Sequence, residues 1–186
     1  MDEPVPGPKP RFRGPAVVLL GVTAMLGLAL DQWTKWLSTE NLTEGEPVRI
    51  LGGLVYLSLL RNSGAAFSLG SSYTWVFPLI TMVVVGWIAV MATRLRSMAW
   101  ALALGLVLAG ALGNLTDRLF RAPGVLHGHV VDMISVFGPY GEHFAVFNIA
   151  DSCLSVGVVL AVLLELTGRQ RDGSRLTRKK PEAKTA

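Results

Sequence analysis

Cysteine and charge are what this sequence has least of. Cys153 is the single cysteine, which excludes an internal disulfide and a multi-cysteine metal site. It lies in an apolar segment without a histidine, so a packing role is favoured over that of a nucleophile. Charged residues make up 16% of the chain, whereas soluble domains carry about 25%. This shortage of charge argues against an ordinary soluble protein.

The sequence contains several long runs of apolar residues with few charges. Hydrophobic residues are 51% of the 186, and a membrane-spanning helix needs about 20 mostly apolar residues. Four segments qualify: 14–30, 73–93, 98–116 and 144–166. The first could be a secretory signal, but "LALDQW" at its end offers no small-residue cleavage site, so an uncleaved anchor is expected. The composition predicts an all-α membrane protein with four transmembrane helices.

Basic residues cluster on one side of the predicted spans, and Lys and Arg near span ends are retained in the cytoplasm. They precede the first span, fill the link at Arg94 and Arg96, and outnumber acidic residues seven to two after residue 168. Both termini are therefore expected in the cytoplasm, with loops 38–72 and 117–143 on the outer face. The predicted parts are a cytoplasmic segment 1–13, a membrane domain 14–168 and a disordered basic tail 169–186, which can also attract anionic lipid.

The first outer loop has 35 residues, too many for a simple connector. Its segment "VRILGGLVYLSLLRN" has β-branched and aromatic residues on both sides of Gly52 and Gly53, which predicts a β-hairpin or small sheet outside the membrane. The following "NSGAAFSLG" places small residues around Asn62 and Gly64. They permit tight turns beside a bound molecule, although an ordinary surface loop explains the segment at least as well.

The second outer loop contains all three histidines, His127, His129 and His143. With Asp132 nearby, the H-x-H spacing is compatible with a zinc site, because imidazole and carboxylate are common zinc ligands. The signal is weak, since H-x-H without a helical HExxH or a cysteine pair is frequent in loops. A site without metal is therefore favoured.

Polar residues near two span ends have structural explanations. Asp31 and Lys35 are four residues apart, which suits an ion pair on a helix surface, where Trp33 and Trp36 mark the membrane interface. Asn114, Asp117 and Arg118 share one face of the third predicted helix. Asp117 and Arg118 are either a structural ion pair or a substrate clamp, and spacing does not separate the two.

Asp132 and Asp151 lack such an explanation. Asp151 lies about a turn inside the fourth predicted span, with Asn148 on the same helix face and no basic residue in that span. A charge in the bilayer costs at least a few kcal/mol and usually marks a working site. Asp132 has apolar neighbours in "GHVVDMI". Two carboxylates brought together at the outer membrane edge cannot readily both ionise, so one keeps a proton while the other is a base that activates water.

Five motifs together resemble the prolipoprotein signal peptidases, or signal peptidase II, of bacterial cytoplasmic membranes. They are "DQWTKW", "RNSGAAFS", "GNLTDRL", "GHVVDMI" and "FNIADSCL". The resemblance implies a catalytic pair at Asp132 and Asp151. It also implies substrate-binding or lining roles for Asn62, Gly64, Asn114, Arg118 and Asn148, and supporting roles for Asp31, Lys35 and Asp117, the last bracing Arg118.

The resemblance further implies an aspartic endopeptidase that removes the signal peptide from prolipoproteins after their cysteine has received a diacylglyceryl group. Its substrates and surrounding lipid are then the expected partners, and no metal, other cofactor or nucleic acid is expected. A monomer in the bacterial cytoplasmic membrane, with its active site at the outer face, is the predicted state. The alternatives are an ion- or proton-coupled transporter, a zinc-dependent membrane peptidase and a non-catalytic four-helix scaffold.

Overall fold

The computed structural model describes residues 14–64 and 74–175; the predicted segment 1–13 and the end of the tail, 176–186, lie outside these ranges. The described chain contains four α-helices, one short 3-10 turn at Leu51–Gly53 and one small sheet. The helices are α1 (Gly14–Asn41), α2 (Val76–Ala92), α3 (Met98–Phe120) and α4 (Ile149–Leu166). The strands are β1 (Val48–Ile50), β2 (Val55–Asn62) and β3 (Val130–Val136).

Three of the four predicted spans correspond to helices that are long and apolar enough to cross a membrane, namely α1, α3 and α4. Helix α2 is apolar but has 17 residues in the described part of the chain. The fold is thus of the membrane type. The crossing of the membrane by α2 stays a prediction.

Helix α3 lies at the centre, and glycines let its neighbours approach closely. A Cβ atom at Gly105 would lie 2.9 Å from the carbonyl oxygen of Leu20 in α1. A Cβ atom at Gly110 would collide with the carbonyl oxygen of Ala150 in α4. Small residues at such crossings are typical of helices packed in membranes, where close van der Waals contact replaces the hydrophobic effect. The outward faces of α1 and α4 expose apolar residues such as Val18 and Val159, as a lipid-facing surface does.

Two helix boundaries differ from the predicted spans. Helix α1 continues to Asn41, well past the predicted end at residue 30, because Asp31 and Lys35 are paired inside the protein and do not end the helix. Helix α4 begins at Ile149, five residues after the predicted start, because Asn148 caps it. Polar residues that looked like interruptions are therefore parts of the helices and their ends.

The predicted hairpin is present, and a third strand joins it. Strands β1 and β2 pair antiparallel across a turn in which Gly52 (φ 68°) and Gly53 (φ 98°) adopt left-handed conformations that glycine tolerates best. Strand β3, from the second predicted outer loop, pairs antiparallel with β2 to give the order β1-β2-β3. This sheet spans both loops, whereas the sequence predicted it within the first loop alone.

Residues 169–175 fold back on the link between α2 and α3. The carbonyl oxygen of Arg171 accepts hydrogen bonds from the backbone N–H groups of Arg96 (2.9 Å) and Ser97 (3.0 Å). The indole N–H of Trp100 donates to the carbonyl oxygen of Arg169 over 2.7 Å. The first seven residues of the predicted disordered tail therefore form a folded turn.

Candidate active site

Asp132 lies on β3, opposite Leu60 of β2, and is 2% exposed. Its Oδ2 accepts a hydrogen bond from Asn62 Nδ2 at 3.0 Å, and its Oδ1 accepts one from Asn148 Nδ2 at 2.7 Å. The two donors come from the end of β2 and the start of α4. The sheet and the helix together therefore fix both carboxylate oxygens.

Asp151 lies in the first turn of α4 and is part of the cap of that helix. The side-chain oxygen of Asn148 accepts from the backbone N–H of Asp151 at 2.9 Å, and Asp151 Oδ2 accepts from the backbone N–H of Asn148 at 3.2 Å. This reciprocal pair is a capping box, which satisfies backbone donors that the first turn leaves free. Asn114 Nδ2 donates to the other oxygen, Oδ1, at 2.8 Å.

Asp151 is therefore not isolated inside a span, as the sequence suggested, but half-buried at a helix start, where its carboxylate accepts two hydrogen bonds. The N-x-x-D spacing of "NIAD" is itself a capping-box signal that marks this start. The same spacing in "NLTD" lies within α3, so it caps nothing. Position in the helix, and not spacing, distinguishes the two.

The environment of Asp132 favours its protonated form. Burial, with a smaller contribution from the nearby charge of Asp151, raises the pKa of Asp132 from 3.8 to about 7, although the hydrogen bonds from Asn62 and Asn148 lower it. A carboxyl group with this pKa exchanges a proton near neutral pH. In the site that Asp132 shares with Asp151, the Asp132 carboxyl group can therefore hold a proton near neutral pH.

Asn114 connects this site to a cation. Its Oδ1 accepts hydrogen bonds from Lys35 Nζ at 3.0 Å and from Asn148 Nδ2 at 3.1 Å, while its Nδ2 points to Asp151. The amide is therefore oriented from both ends. Because of this orientation, Asn114 presents its N–H group, and not its oxygen, to the Asp151 carboxylate.

Lys35 forms a buried ion cluster with Asp31 and Asp117, defined by these three side chains, each fully buried. Lys35 Nζ lies 2.9 Å from Asp31 Oδ2 and 2.9 Å from Asp117 Oδ2. The acids also accept backbone hydrogen bonds, Asp31 from Ala150 at 2.8 Å and Asp117 from Val131 at 3.1 Å. The cluster therefore ties α1 and α3 to the residues next to Asp151 and Asp132.

Two sequence predictions about these residues were wrong in part. The Asp31–Lys35 pair exists but is buried, because α3 supplies Asp117 against it; it is not a helix-surface pair. Asp117 forms its ion pairs with Lys35 and with Arg121, whose Nε lies 2.7 Å away, and does not brace Arg118 through an ion pair. Spacing along one helix does not reveal a partner that comes from another.

Arg118 binds backbone carbonyl groups of the loops and forms no ion pair with a carboxylate of the described chain. Its guanidinium donates to the carbonyl oxygens of Ser63 (3.1 Å), Gly128 (3.0 Å) and Gly64 (2.5 Å). Gly64 is turned toward it because its own N–H donates to Asn62 Oδ1 at 2.9 Å. Arg118 therefore connects the backbone just after β2 to the second predicted outer loop beside Asp132.

Both aspartates line one cavity of about 600 Å³, here called the dyad cavity. Its polar wall contains four of the five other predicted lining residues, Asn62, Gly64, Asn114 and Arg118; Asn148 does not line it. Its remaining wall is mainly apolar and includes Phe77 of α2 and Leu154 and Val156 of α4. The dyad cavity therefore offers a polar reaction centre beside a surface for apolar groups.

The three histidines contribute no metal site in the part of the chain that the structure describes. No group of three or more His, Cys, Asp or Glu side chains there is arranged to hold an ion. The histidines are also absent from the described lining of the dyad cavity. The zinc hypothesis therefore has no ligand set among the described residues.

Comparison with known families decides the class of this fold. Residues 23–167 match the family model described as signal peptidase (SPase) II. The chain belongs to the signal peptidase II family. It is therefore a peptidase, and its apolar helices agree with the membrane location of that family.

Relatives of high identity extend the match over most of the chain. A lipoprotein signal peptidase of Rhodococcus jostii is 49% identical over 158 residues, covering 85% of this chain and 77% of that protein. A lipoprotein signal peptidase of Mycobacterium avium is 47% identical over 173 residues, covering 92% of each chain. The family match over residues 23–167 includes both loops that carry the site.

Solved structures support the same fold for this signal peptidase II chain. One bacterial membrane enzyme, solved at 2.3 Å, aligns with a TM-score of 0.72 at 27% identity, covering 91% of this chain and 98% of that one. A second, solved at 1.9 Å, aligns with a TM-score of 0.69 at 29% identity and covers 86% and 98%. The bundle and sheet are therefore an architecture found in bacterial membrane enzymes.

Proposed function

We propose that this chain is an aspartic endopeptidase that cleaves the signal peptide from diacylglyceryl-modified prolipoproteins just before the lipidated cysteine. The observation that carries the proposal is the pair of carboxylates, Asp132 and Asp151, which line the dyad cavity and are both held by Asn148. The side-chain amide of Asn148 donates to the Asp132 carboxylate, and its backbone N–H donates to the Asp151 carboxylate. The relatives named lipoprotein signal peptidases support the substrate class. Family membership favours a peptidase over the transporter and scaffold alternatives.

In the proposed reaction the pair holds one proton and one negative charge. Asp132, with its raised pKa, carries the proton, and Asp151 accepts a proton from water as the water oxygen attacks the scissile carbonyl carbon. Asp132 donates its proton to the carbonyl oxygen, which gives a tetrahedral diol. When the C–N bond breaks, the amine nitrogen takes a proton from Asp151, and one diol hydroxyl returns a proton to Asp132 as the new carboxyl group forms.

Neighbouring polar groups are proposed to hold the peptide. Asn114 and Arg118 line the dyad cavity, and each is fixed by hydrogen bonds to protein groups, so their remaining donors are preorganised for substrate carbonyls. Asn62 and Gly64 form the turn that borders the same space. Asp31, Lys35 and Asp117 do not line the dyad cavity in the described chain and have a supporting role.

The apolar wall is proposed to accept the lipidated end of the substrate. Burial of acyl chains contributes about 0.8 kcal/mol per CH₂, but the bilayer already offers most of that environment. The main effect of the diacylglyceryl group is therefore to determine which peptide bond reaches the aspartates. Its effect on the affinity for the substrate is smaller. This function fits a monomer with cytoplasmic termini and its active site at the outer face, where the acyl chains of a translocated cysteine lie.

The test is cleavage of a lipidated precursor by purified Asp132→Asn and Asp151→Asn variants in detergent micelles. Each variant is expected to leave the precursor uncut while remaining folded and eluting as the wild type does. Glu46→Gln, which changes an exposed carboxylate in the same way, is the matched control and should cleave normally. Substantial cleavage by either aspartate variant would refute the assignment. Loss of wild-type cleavage in a chelator, restored by zinc, would favour the metal mechanism instead.

A further inference from the structure

A second cavity lies at the opposite end of the helix bundle. It has a volume of about 700 Å³ and is here called the arginine cavity, after three of the residues that line it: Arg96, Arg169 and Arg175. It lies where α1 and α3 begin and α4 ends, whereas the aspartates lie where α3 ends and α4 begins. The 23 residues of α3, at about 1.5 Å each, separate the two ends by roughly 35 Å.

The three arginines are held close together by backbone contacts. Arg169 and Arg175 face each other in a β-bridge, and Gln170 and Ser174 close the turn between them with a 2.8 Å hydrogen bond. The turn is fixed to the link before α3 because Arg96 donates its N–H to the carbonyl oxygen of Arg171. The positive charges are therefore gathered by the fold and are not scattered along a flexible tail.

These guanidinium groups lack carboxylate partners within the described chain. Arg171, by contrast, stacks on Trp100 with its Cζ 4.8 Å from the ring centroid and lies 3.5 Å from Glu165. Asp172 is the acidic residue near Arg96, and its carboxylate already accepts two hydrogen bonds from Ser174. The arginine cavity thus keeps an excess of positive charge with unused N–H donors.

We propose that the arginine cavity binds the phosphate of an anionic phospholipid headgroup. Arginine binds phosphate through two parallel N–H···O bonds, so several guanidinium groups around one space suit this ligand. A lipid is favoured over a soluble anion because the cavity lies beside apolar surface: Met98 lines it and is exposed, as are Val17 and Val18 nearby on α1. Basic pockets at helix ends facing an anionic leaflet bind such headgroups.

The inference depends on the bundle lying in a membrane and not on its peptidase activity. The experiment therefore measures binding without substrate. Purified protein in a neutral detergent is mixed with short-chain phosphatidylglycerol or phosphatidylcholine, and the bound fraction is measured by native mass spectrometry. Tighter binding of phosphatidylglycerol is expected, and equal binding of the two lipids would contradict the proposal.

Two variants and one control locate the binding. Arg96→Gln and Arg175→Gln should each weaken phosphatidylglycerol binding about tenfold, the loss expected when a charge-assisted hydrogen bond is removed. Arg94→Gln removes the same charge from an exposed residue that does not line the cavity, and should change binding less than twofold. Equal losses in all three would indicate general charge attraction and overturn the site.

Two further arms complete the test. Inorganic phosphate at the lipid concentration should not displace phosphatidylglycerol; equal competition would show that the ligand is a soluble anion. Arg175 is exposed and its side chain makes no contact that holds the described turn, so Arg175→Gln should fold normally, as its thermal unfolding will show. If this folded variant binds phosphatidylglycerol as tightly as the wild type, the proposal is wrong.

Discussion

Asn148 and Asp151 exchange hydrogen bonds in both directions, side chain to backbone each way, at 2.9 and 3.2 Å. This reciprocal cap begins α4 and also sets the orientation of the Asp151 carboxylate. Because the side-chain amide of Asn148 also donates to Asp132 at 2.7 Å, one residue holds both members of the proposed catalytic pair. Helix capping and the geometry of the site therefore depend on the same side chain.

Replacing Asn148 separates these two roles. Asn148→Ser keeps a capping oxygen and loses the donor to Asp132, so the helix cap should survive while cleavage falls about 10- to 100-fold, as for loss of a hydrogen bond to a charged group. Asn148→Ala loses the cap as well and should also be destabilised by about 1 kcal/mol. Cleavage rates and thermal unfolding of both variants provide the measurement. Wild-type cleavage by Asn148→Ser would show that the bridge is not needed.

Asp132 should make the stability of the protein depend on pH. Its folded pKa of about 7 lies above the ordinary value of 3.8, so between these values the folded state binds more protons than the unfolded state, and the free energy of unfolding falls as pH rises. The stabilisation is fully present below pH 3.8 and is lost as pH rises to about 7. Thermal unfolding between pH 4 and 8 should show this decline, and Asp132→Asn should flatten it. An unchanged slope in the variant would assign the effect to another group.

Lys35 should be essential for stability. Lys35→Met leaves Asp31 and Asp117 buried without their shared cation, a change that costs about 3 to 5 kcal/mol. The control is Arg61→Met, which breaks the exposed pair with Glu44 and should cost under about 1 kcal/mol. Denaturant or thermal unfolding in one detergent compares them. Equal, small losses would mean that the buried ion cluster is not held as described.

Gly113 should tolerate no side chain. A Cβ atom there would lie 2.6 Å from Asp31 Oδ2 and 2.9 Å from the Cβ of Ala150, so Gly113→Ala should cost about 1 to 3 kcal/mol by overpacking and should lower cleavage. Gly86→Ala in α2 meets nothing within 4 Å and should leave stability unchanged or raise it. The measurement compares the unfolding temperatures of the two variants. Equal unfolding temperatures would contradict the close packing of α1, α3 and α4 around Gly113.

The sequence carried enough information for the membrane class, three long apolar helices and the first hairpin. Apolar runs and β-branched residues around Gly52 and Gly53 are local signals, and local signals predict local structure well. The sequence also singled out Asp132 and Asp151, because a carboxylate among apolar residues has few structural explanations. Their catalytic roles stay a proposal.

Long-range partners were beyond the reach of the sequence. Strand β3 pairs with β2 across about 70 residues of chain, and no local pattern in "VVDMISV" specifies that register. Asp117 was expected to serve Arg118, its neighbour, but its cation Lys35 comes from α1. The folded turn at residues 169–175 could not be predicted either, since the composition of a basic tail does not indicate that Trp100 donates a hydrogen bond to its backbone.

The most direct test of the proposed function compares lipidated and unlipidated forms of one prolipoprotein, each incubated with the purified protein, with products identified by mass spectrometry. We expect cleavage of the lipidated form alone, leaving the modified cysteine as the new N-terminus. Neither form should be cut when Asp132 or Asp151 is asparagine. Equal cleavage of both forms, or cleavage at another bond, would contradict the proposal that the lipid brings this bond to the aspartate pair.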